Sequence, residues 1–335
     1  MTGKEVRWGI VSTAKIGLEK VIPGIQRSKT GVAAAIASRG QDKAEAAAAS
    51  LGIEKAYGSY EDLLADPEID AIYNPLPNHL HVPVTIQAVE AGKHVLCEKP
   101  IALSAGEAEQ LLALPKGRLV AEGFMVRAHP QWIRAREIVR SGALGELKAI
   151  QCFFSYFNDD PENIRNMAGI GGGALYDIGC YTMLSGRYFF DAEPERVVSL
   201  IDKDPSFGTD RMTSAILDFG QGRHLNFVVS TQLTPYQRFN LVGTKQRLEI
   251  VIPVNAPQGE AVEIRTDDGS VLGDGAIQTE TIAPCDQYAE LIDVFGRAVT
   301  GEAPLPYGAE DAVQNMKILD ALFASAEKGG WAAVG

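Results

Sequence analysis

The sequence predicts two joined folds: an α/β domain with a doubly wound parallel sheet, then an α+β domain with an open, mainly antiparallel sheet. Three observations predict this. Short apolar runs alternate with alanine-rich helical stretches from residue 6 to residue 125. After about residue 148, strand-length runs follow one another with no such helices between them. The chain is 335 residues long, more than one ordinary core takes up.

In the first half, Val6–Val11, Val32–Ser38, Ala71–Asn74, His94–Cys97 and Leu119–Glu122 read as strands covered on both faces. Helical patterns fill the gaps at Ile16–Arg27, Lys43–Leu51, Val82–Ala91 and Ala105–Leu114. Strand, helix, strand in this order implies right-handed crossovers and a parallel sheet. Tyr60–Ala65, ahead of Asp66-Pro67, adds a short helix before the fourth strand. In the second half, Lys148–Phe157, Arg196–Asp202, Met212–Phe219, His224–Thr231, Arg238–Val242, Arg247–Ile252 and Ala261–Arg265 have strand length. Turn signals such as Gly220-Gln221-Gly222 and Asp267-Asp268-Gly269 separate them, which points to antiparallel pairing. Phe153, Phe154, Tyr156 and Phe157 are assigned to sheet core and interface. Helical periodicity returns at Asp286–Thr300 and Gly308–Lys328, and these helices are expected to pack back on the first domain. The expected division is residues 1–125 and 126–335, with a cleft between the two.

Hydrophobic residues are 46% and charged residues 22% of the chain, the composition of a packed globular protein. A formal net charge of -12 speaks against a nucleic-acid partner, because phosphate binding needs a basic footprint. The four cysteines, Cys97, Cys152, Cys180 and Cys285, are far apart, so they predict reduced thiols with no metal site and no disulfide framework. The N-terminus has a charged start and one short apolar run, which reads as a first strand and not as a signal peptide or membrane span. A cytoplasmic protein without a membrane partner is expected. The open sheet would leave a sticky face, so a homodimer or homotetramer is expected as well.

Chemistry concentrates at the ends of the predicted strands. The first βα turn, Gly9-Ile10-Val11-Ser12-Thr13-Ala14-Lys15-Ile16-Gly17, puts small residues at Ser12, Ala14 and Gly17. A dinucleotide fingerprint needs small residues there so that backbone meets a pyrophosphate at the helix start, although an ordinary strand-to-helix turn also fits. Ser12, Thr13, Ala14, Lys15 and Ile16 are therefore candidate cofactor ligands. The second strand ends at Ser38-Arg39-Gly40, with Lys43 following. A carboxylate here would hold a ribose 2′-hydroxyl; a hydroxyl and two cations match a 2′-phosphate instead. NADP is favoured, with NAD possible, unless Arg39 is simply a solvated loop residue.

The fourth and fifth strands end in Asn74-Pro75-Leu76-Pro77-Asn78-His79-Leu80-His81 and Glu98-Lys99-Pro100. Open α/β sheets bind ligands at such carboxyl ends. Asn74, Pro75, Leu76, Asn78, His81, Glu98 and Lys99 are candidates for the cofactor, and His79 and Lys99 for the substrate. Either histidine alternatively caps the next helix. Further on, Gly171-Gly172-Gly173 allows close backbone approach to a ligand, and Asp177 and Tyr181, four apart, share one helix face. Arg127 and Arg165 either clamp a cofactor phosphate or substrate oxygen, or form surface salt bridges.

The Ser12–Gly17 turn, Asn74–His81, Glu98-Lys99-Pro100, Glu122–Pro130 and the Gly171–Tyr181 segment together resemble the Gfo/Idh/MocA oxidoreductase family along essentially the whole chain. The resemblance implies a Rossmann domain, a lysine acting at a substrate hydroxyl, here Lys99, and an aspartate nearby, here Asp177. That family often has a histidine four residues after the aspartate. Tyr181 stands there instead, as in the branch of glucose–fructose oxidoreductase, dihydrodiol dehydrogenase and NADP-linked xylose dehydrogenase. A free phenol has a pKa of about 10, and a nearby ammonium favours its anion, so Lys99 and Tyr181 would form a proton-transfer pair, with Asp177 orienting the lysine or the substrate hydroxyl; the alternative is a packing Tyr181 and a helix-capping Asp177. The expected activity is NADP-dependent hydride transfer at a carbinol or carbonyl of a sugar or related vicinal diol. The rivals are a trans-dihydrodiol dehydrogenase and a non-catalytic NAD(P)-sensing regulator on the same fold.

Overall fold

The computed structural model describes residues 5–335. The charged start, Met1–Lys4, on which part of the N-terminal reading rests, lies outside the described residues. The chain forms two compact units, Met1–Ala128 with Asp286–Val313, and His129–Cys285 with Gln314–Gly335.

The first unit opens with β1 (Val6–Val11), a wide turn of helix at Gly17–Val21 and α1 (Ile22–Arg27). It continues through β2 (Gly31–Ala37), α2 (Gln41–Leu51), β3 (Lys55–Tyr57), α3 (Tyr60–Ala65) and β4 (Ala71–Asn74). Then come α4 (His81–Glu90), β5 (His94–Cys97), α5 (Ala105–Glu109) and β6 (Val120–Glu122). The six strands pair in the order β3-β2-β1-β4-β5-β6, all parallel. The order reverses beside β1, so its carboxyl end and that of β4 border the crevice that such sheets use for ligands. The strands are covered on both faces, which is why they are near-continuous apolar runs: Trp8, Ile10, Ile36 and Ala71 are wholly inaccessible.

The second unit carries α6 (Pro130–Arg140), β7 (Leu147–Phe157), α7 (Cys180–Phe190), β8 (Arg196–Lys203) and β9 (Asp210–Asp218). It goes on through β10 (His224–Ser230), β11 (Gln232–Gly243), β12 (Arg247–Ile250), β13 (Val262–Asp267) and β14 (Gln278–Ile282). Two helices follow, α8 (Gln287–Val299) and α9 (Ala309–Lys328), and then the short β15 (Ala332–Ala333). The nine-stranded sheet runs β14-β13-β12-β11-β7-β10-β9-β8-β15. Its pairs are antiparallel except β7 with β10, which are parallel because α7, β8 and β9 lie between them in the chain. Trp132 anchors the core of this unit: its ring meets Tyr188, Phe189 and Phe239, and its Nε1–H donates to the Pro253 carbonyl at 2.6 Å.

α8 belongs to the first unit for two reasons. Its apolar face contributes Ile292 and Phe295 to the core around β1, where Phe295 packs on Trp8 with ring centroids 5.5 Å apart. The buried Asp293 accepts the N–H groups of Lys29 and Thr30 at 2.8 and 3.1 Å, and the Thr30 hydroxyl at 3.0 Å, just before β2. No described helix is long and apolar enough to cross a membrane.

Candidate active site

The first βα turn is built as a dinucleotide cradle without its usual glycine. Ser12 takes the left-handed φ of +73° that a fingerprint glycine would take, and its hydroxyl accepts the Ala14 N–H at 3.2 Å. Side chains in this region cost strain, which the Ser12 side-chain hydrogen bond helps to offset. The helical bonds open with Leu18 N–H to the Ala14 carbonyl at 3.1 Å, so the amides of Lys15 and Ile16 precede them and have no acceptor within the helix. A Cβ on Gly17 would sit 3.7 Å from the Tyr73 ring and 3.8 Å from Pro75, which places the end of β4 against this turn. These features fit a pyrophosphate. At the end of β2, Ser38 is buried while Arg39 and Lys43 are exposed.

The loop after β4 is closed by its own polar groups. Asn74 is inaccessible; its Nδ2 donates to the His81 carbonyl at 3.1 Å, and its Oδ1 accepts the Leu76 N–H at 3.3 Å. His81 was grouped above with cofactor ligands, but its ring is spent inside the unit. Nδ1 lies 2.8 Å from the Pro100 carbonyl and Nε2 lies 2.6 Å from that of Leu76. Burial, and then the charge of nearby Lys99, hold its pKa down at about 4, against two carbonyl contacts that pull the other way. The ring is therefore neutral near pH 7 and donates to one of the two carbonyls at a time.

Glu98 accepts the hydroxyl of buried Tyr73 at 2.8 Å, and burial together with the Glu98 charge raises the Tyr73 pKa well above its usual value. Lys99 follows, joined to Pro100 by a cis peptide bond. Arg127, the other cofactor candidate of this unit, has its guanidinium on Asp311 at 2.6 Å and 3.7 Å over the Tyr307 ring, with its side chain only 8% exposed. Of the two roles expected of it, the ion pair is the one present, made within the first unit by the return of Asp286–Val313.

In the second unit the chemistry gathers on Asp177. Its Oδ2 accepts the Tyr156 hydroxyl at 2.6 Å and pairs with Arg165 Nε at 3.0 Å. The Asp177 charge, followed by those of Tyr156 and Tyr181, pushes the Arg165 pKa up, so Tyr181 shares the field of this cation. Burial, then the Asp177 charge, pushes the Tyr156 phenol up and keeps it a donor. Tyr181 stands one turn beyond Asp177 and is buried.

Gly172 and Gly173 serve a close approach within the protein itself. A Cβ on Gly172 would lie 2.6 Å from the Arg165 carbonyl, and Gly173 N–H donates to that same carbonyl at 2.8 Å. The glycines let the 165–167 turn close on the protein itself and so carry Arg165 to Asp177. Sequence reasoning also missed Asp210. Its Oδ2 accepts the Leu175 N–H at 2.7 Å where the helical segment bearing Asp177 begins, and burial raises its pKa to about 7. Tyr156 was read as core or interface because it lies in a near-continuous apolar run; only the strand's facing shows its hydroxyl turned to Asp177.

An open parallel sheet with a dinucleotide turn and an α+β unit carrying the Asp177 cluster define a class: a nicotinamide-nucleotide oxidoreductase. Family models agree. Residues 6–123 match the oxidoreductase family with an NAD-binding Rossmann fold, and residues 132–249 match the GFO/IDH/MocA C-terminal domain. The chain belongs to the Gfo/Idh/MocA oxidoreductase family. It is 47% identical to an uncharacterized oxidoreductase of Rhizobium meliloti, covering 98% of this chain and 99% of that protein. It is 38% identical to an NADP(+) D-xylose 1-dehydrogenase of Haloferax volcanii, covering 96% and 98%. Among solved structures it resembles a 3-ketoreductase of Actinomadura kijaniata in complex with NADP and TDP-benzene, with a TM-score of 0.88, 27% identity and coverage of 96% and 98%.

Proposed function

We propose that this oxidoreductase is NADP-linked and acts on a carbinol or carbonyl of a sugar or related vicinal diol. The observation that carries the reading is the Asp177 cluster: a carboxylate fixed by Tyr156 and Arg165, one helical turn before Tyr181. The NADP(+) D-xylose 1-dehydrogenase at 38% identity supports both the cofactor and the substrate class. Ser12, Thr13, Ala14, Lys15 and Ile16 would hold the pyrophosphate, Ser38, Arg39 and Lys43 the 2′-phosphate, and Pro75, Leu76, Asn78 and Glu98 the nicotinamide side, on a loop that the buried Asn74 shapes from within. When bound, the nicotinamide supplies the hydride chemistry. The chain's own residues handle the proton. Tyr181 takes the hydroxyl proton when a carbinol is oxidised and returns it in the reverse direction. Lys99 stabilises the developing alkoxide, and Asp177 and His79 orient the substrate hydroxyls.

The test is a screen of aldoses, ketoses, inositols and dihydrodiols followed by NADPH absorbance, with Tyr181→Phe and Lys99→Met beside the wild type. Tyr181→Phe keeps the ring and should lower turnover by roughly 10²–10⁴-fold, and Lys99→Met by roughly 10²-fold, with NADPH binding preserved. A folded Phe variant with most of its activity removes Tyr181 from the mechanism. Tight NADPH binding with no turnover of any carbinol would favour the regulator.

A further inference from the structure

We propose that His81 and Glu122 are positioning residues for Lys99, acting through the single peptide group that joins Pro100 to Ile101; the idea rests on the role given to Lys99 above. A lysine with four rotatable bonds is placed only as well as its backbone is. Up to Glu98 the backbone is held by the sheet, since Glu98 N–H donates to the Asn74 carbonyl at 3.0 Å. Beyond that point the chain leaves β5, and the ladder no longer fixes it.

What fixes it instead is a pair of buried side chains from two other elements. The Pro100 carbonyl lies 2.8 Å from His81 Nδ1, at the start of α4. The Ile101 N–H, at the other edge of the same peptide plane, donates to Glu122 Oε1 at 2.8 Å, at the end of β6. The two residues are 1% and 8% exposed. Burying an imidazole and a carboxyl is costly, and a purely structural loop would more cheaply satisfy one peptide with backbone partners. Here both groups converge on the peptide one residue past Lys99 and hold it from opposite sides. The second ring nitrogen lies 2.6 Å from the Leu76 carbonyl, on the loop after β4, and donates there when the ring proton sits on Nε2. His81 thereby stands between the loop carrying Asn74–Asn78 and the loop carrying Lys99, donating to Pro100 when the proton sits on Nδ1.

The two ring contacts make separable claims. An asparagine amide reaches about where Nδ1 stands and a glutamine amide about where Nε2 stands. His81→Asn therefore keeps a donor for Pro100, while His81→Gln keeps one for Leu76 only. Glu122→Gln retains an acceptor for Ile101, and Glu122→Ala does not. If the pair positions Lys99, His81→Gln and Glu122→Ala should lose about tenfold or more in kcat with KM for NADP within about threefold, the scale expected when a catalytic group drifts by a fraction of an ångström. His81→Asn and Glu122→Gln should stay within about threefold of wild type in kcat, because each keeps the hydrogen bond to the Pro100–Ile101 peptide.

A second readout needs no turnover: the pH dependence of Lys99 acylation by an amine-selective reagent, followed by mass spectrometry of the peptide that carries it. His81→Gln and Glu122→Ala should shift this profile, and the two conservative variants should leave it in place. Unchanged Lys99 profiles in all four folded variants overturn the proposal, as does equal loss in His81→Asn and His81→Gln. A wild type that turns over no carbinol but shows these shifts counts against the functional reading and for the positioning of Lys99.

Discussion

Gly173→Ala tests how the second unit presents its chemistry. Gly173 has φ of +118°, and a Cβ built there would lie 1.9 Å from Asp210 Oδ1. Two costs follow. Holding an alanine at this φ costs about 1–3 kcal/mol in backbone strain. Asp210 must also move, and it is 3% exposed, with Oδ2 accepting the Leu175 N–H at 2.7 Å and the Thr213 hydroxyl at 3.3 Å. Freeing that buried amide costs about 1–3 kcal/mol more. Gly173→Ala should therefore destabilise the protein by about 2–6 kcal/mol, read as a lower urea midpoint with an unchanged slope. The cause is checked by a cycle with Asp210→Ala, which vacates the space without relieving the strain. The double variant should be no less stable than Gly173→Ala alone, a coupling of about 1–3 kcal/mol. Strict additivity, or a Gly173→Ala protein as stable as wild type, would refute the reasoning.

Other expectations follow from the same geometry. Arg39→Ala should weaken NADP binding by about 1.5–3 kcal/mol, tenfold or more, while NAD affinity stays nearly constant; a wild type that prefers NAD defeats the inference from Ser38 and Arg39. Burial raises the folded pKa of Asp210 to about 7 from its ordinary value of 3.8, so the folded protein binds more protons than the unfolded chain between those values. Its contribution to stability is present at low pH and lost as pH rises from about 4 to about 7. Asp210→Asn should accordingly be more stable than wild type at pH 8 by about 1–3 kcal/mol and gain little at pH 4, as measured by denaturation at both pH values. His81 has the opposite sign: its folded pKa of about 4 lies below the unfolded value, so the wild type should lose stability as pH falls from about 6.5 to about 4. His81→Asn should flatten that fall.

Local pattern alone determined a good part of this protein. The alternation of buried strands with helices specified the parallel sheet, because strands covered on both faces need crossovers and leave near-continuous apolar runs. Lys99, Asp177 and Tyr181 stand out as candidates because their neighbours are close in sequence: Glu98 and Pro100 flank the first, and one helical turn links the other two. The turn at Ser12 was legible as well, since a small residue where the strand ends is a local requirement. Tertiary structure decided what distant residues do to one another. Arg127 reads equally as a phosphate clamp or a salt-bridge residue until Asp311, 184 positions later, takes its guanidinium. Tyr156 reads as core until β7 turns its hydroxyl to Asp177, and nothing near Asp210 announces that it closes on Leu175, 35 residues upstream. His81 sits beside candidate ligands in sequence, yet its ring is claimed by two backbone carbonyls. Periodicity reports which face of an element is apolar; it carries no record of which buried donor finds which acceptor, and that pairing fixed the roles of these residues.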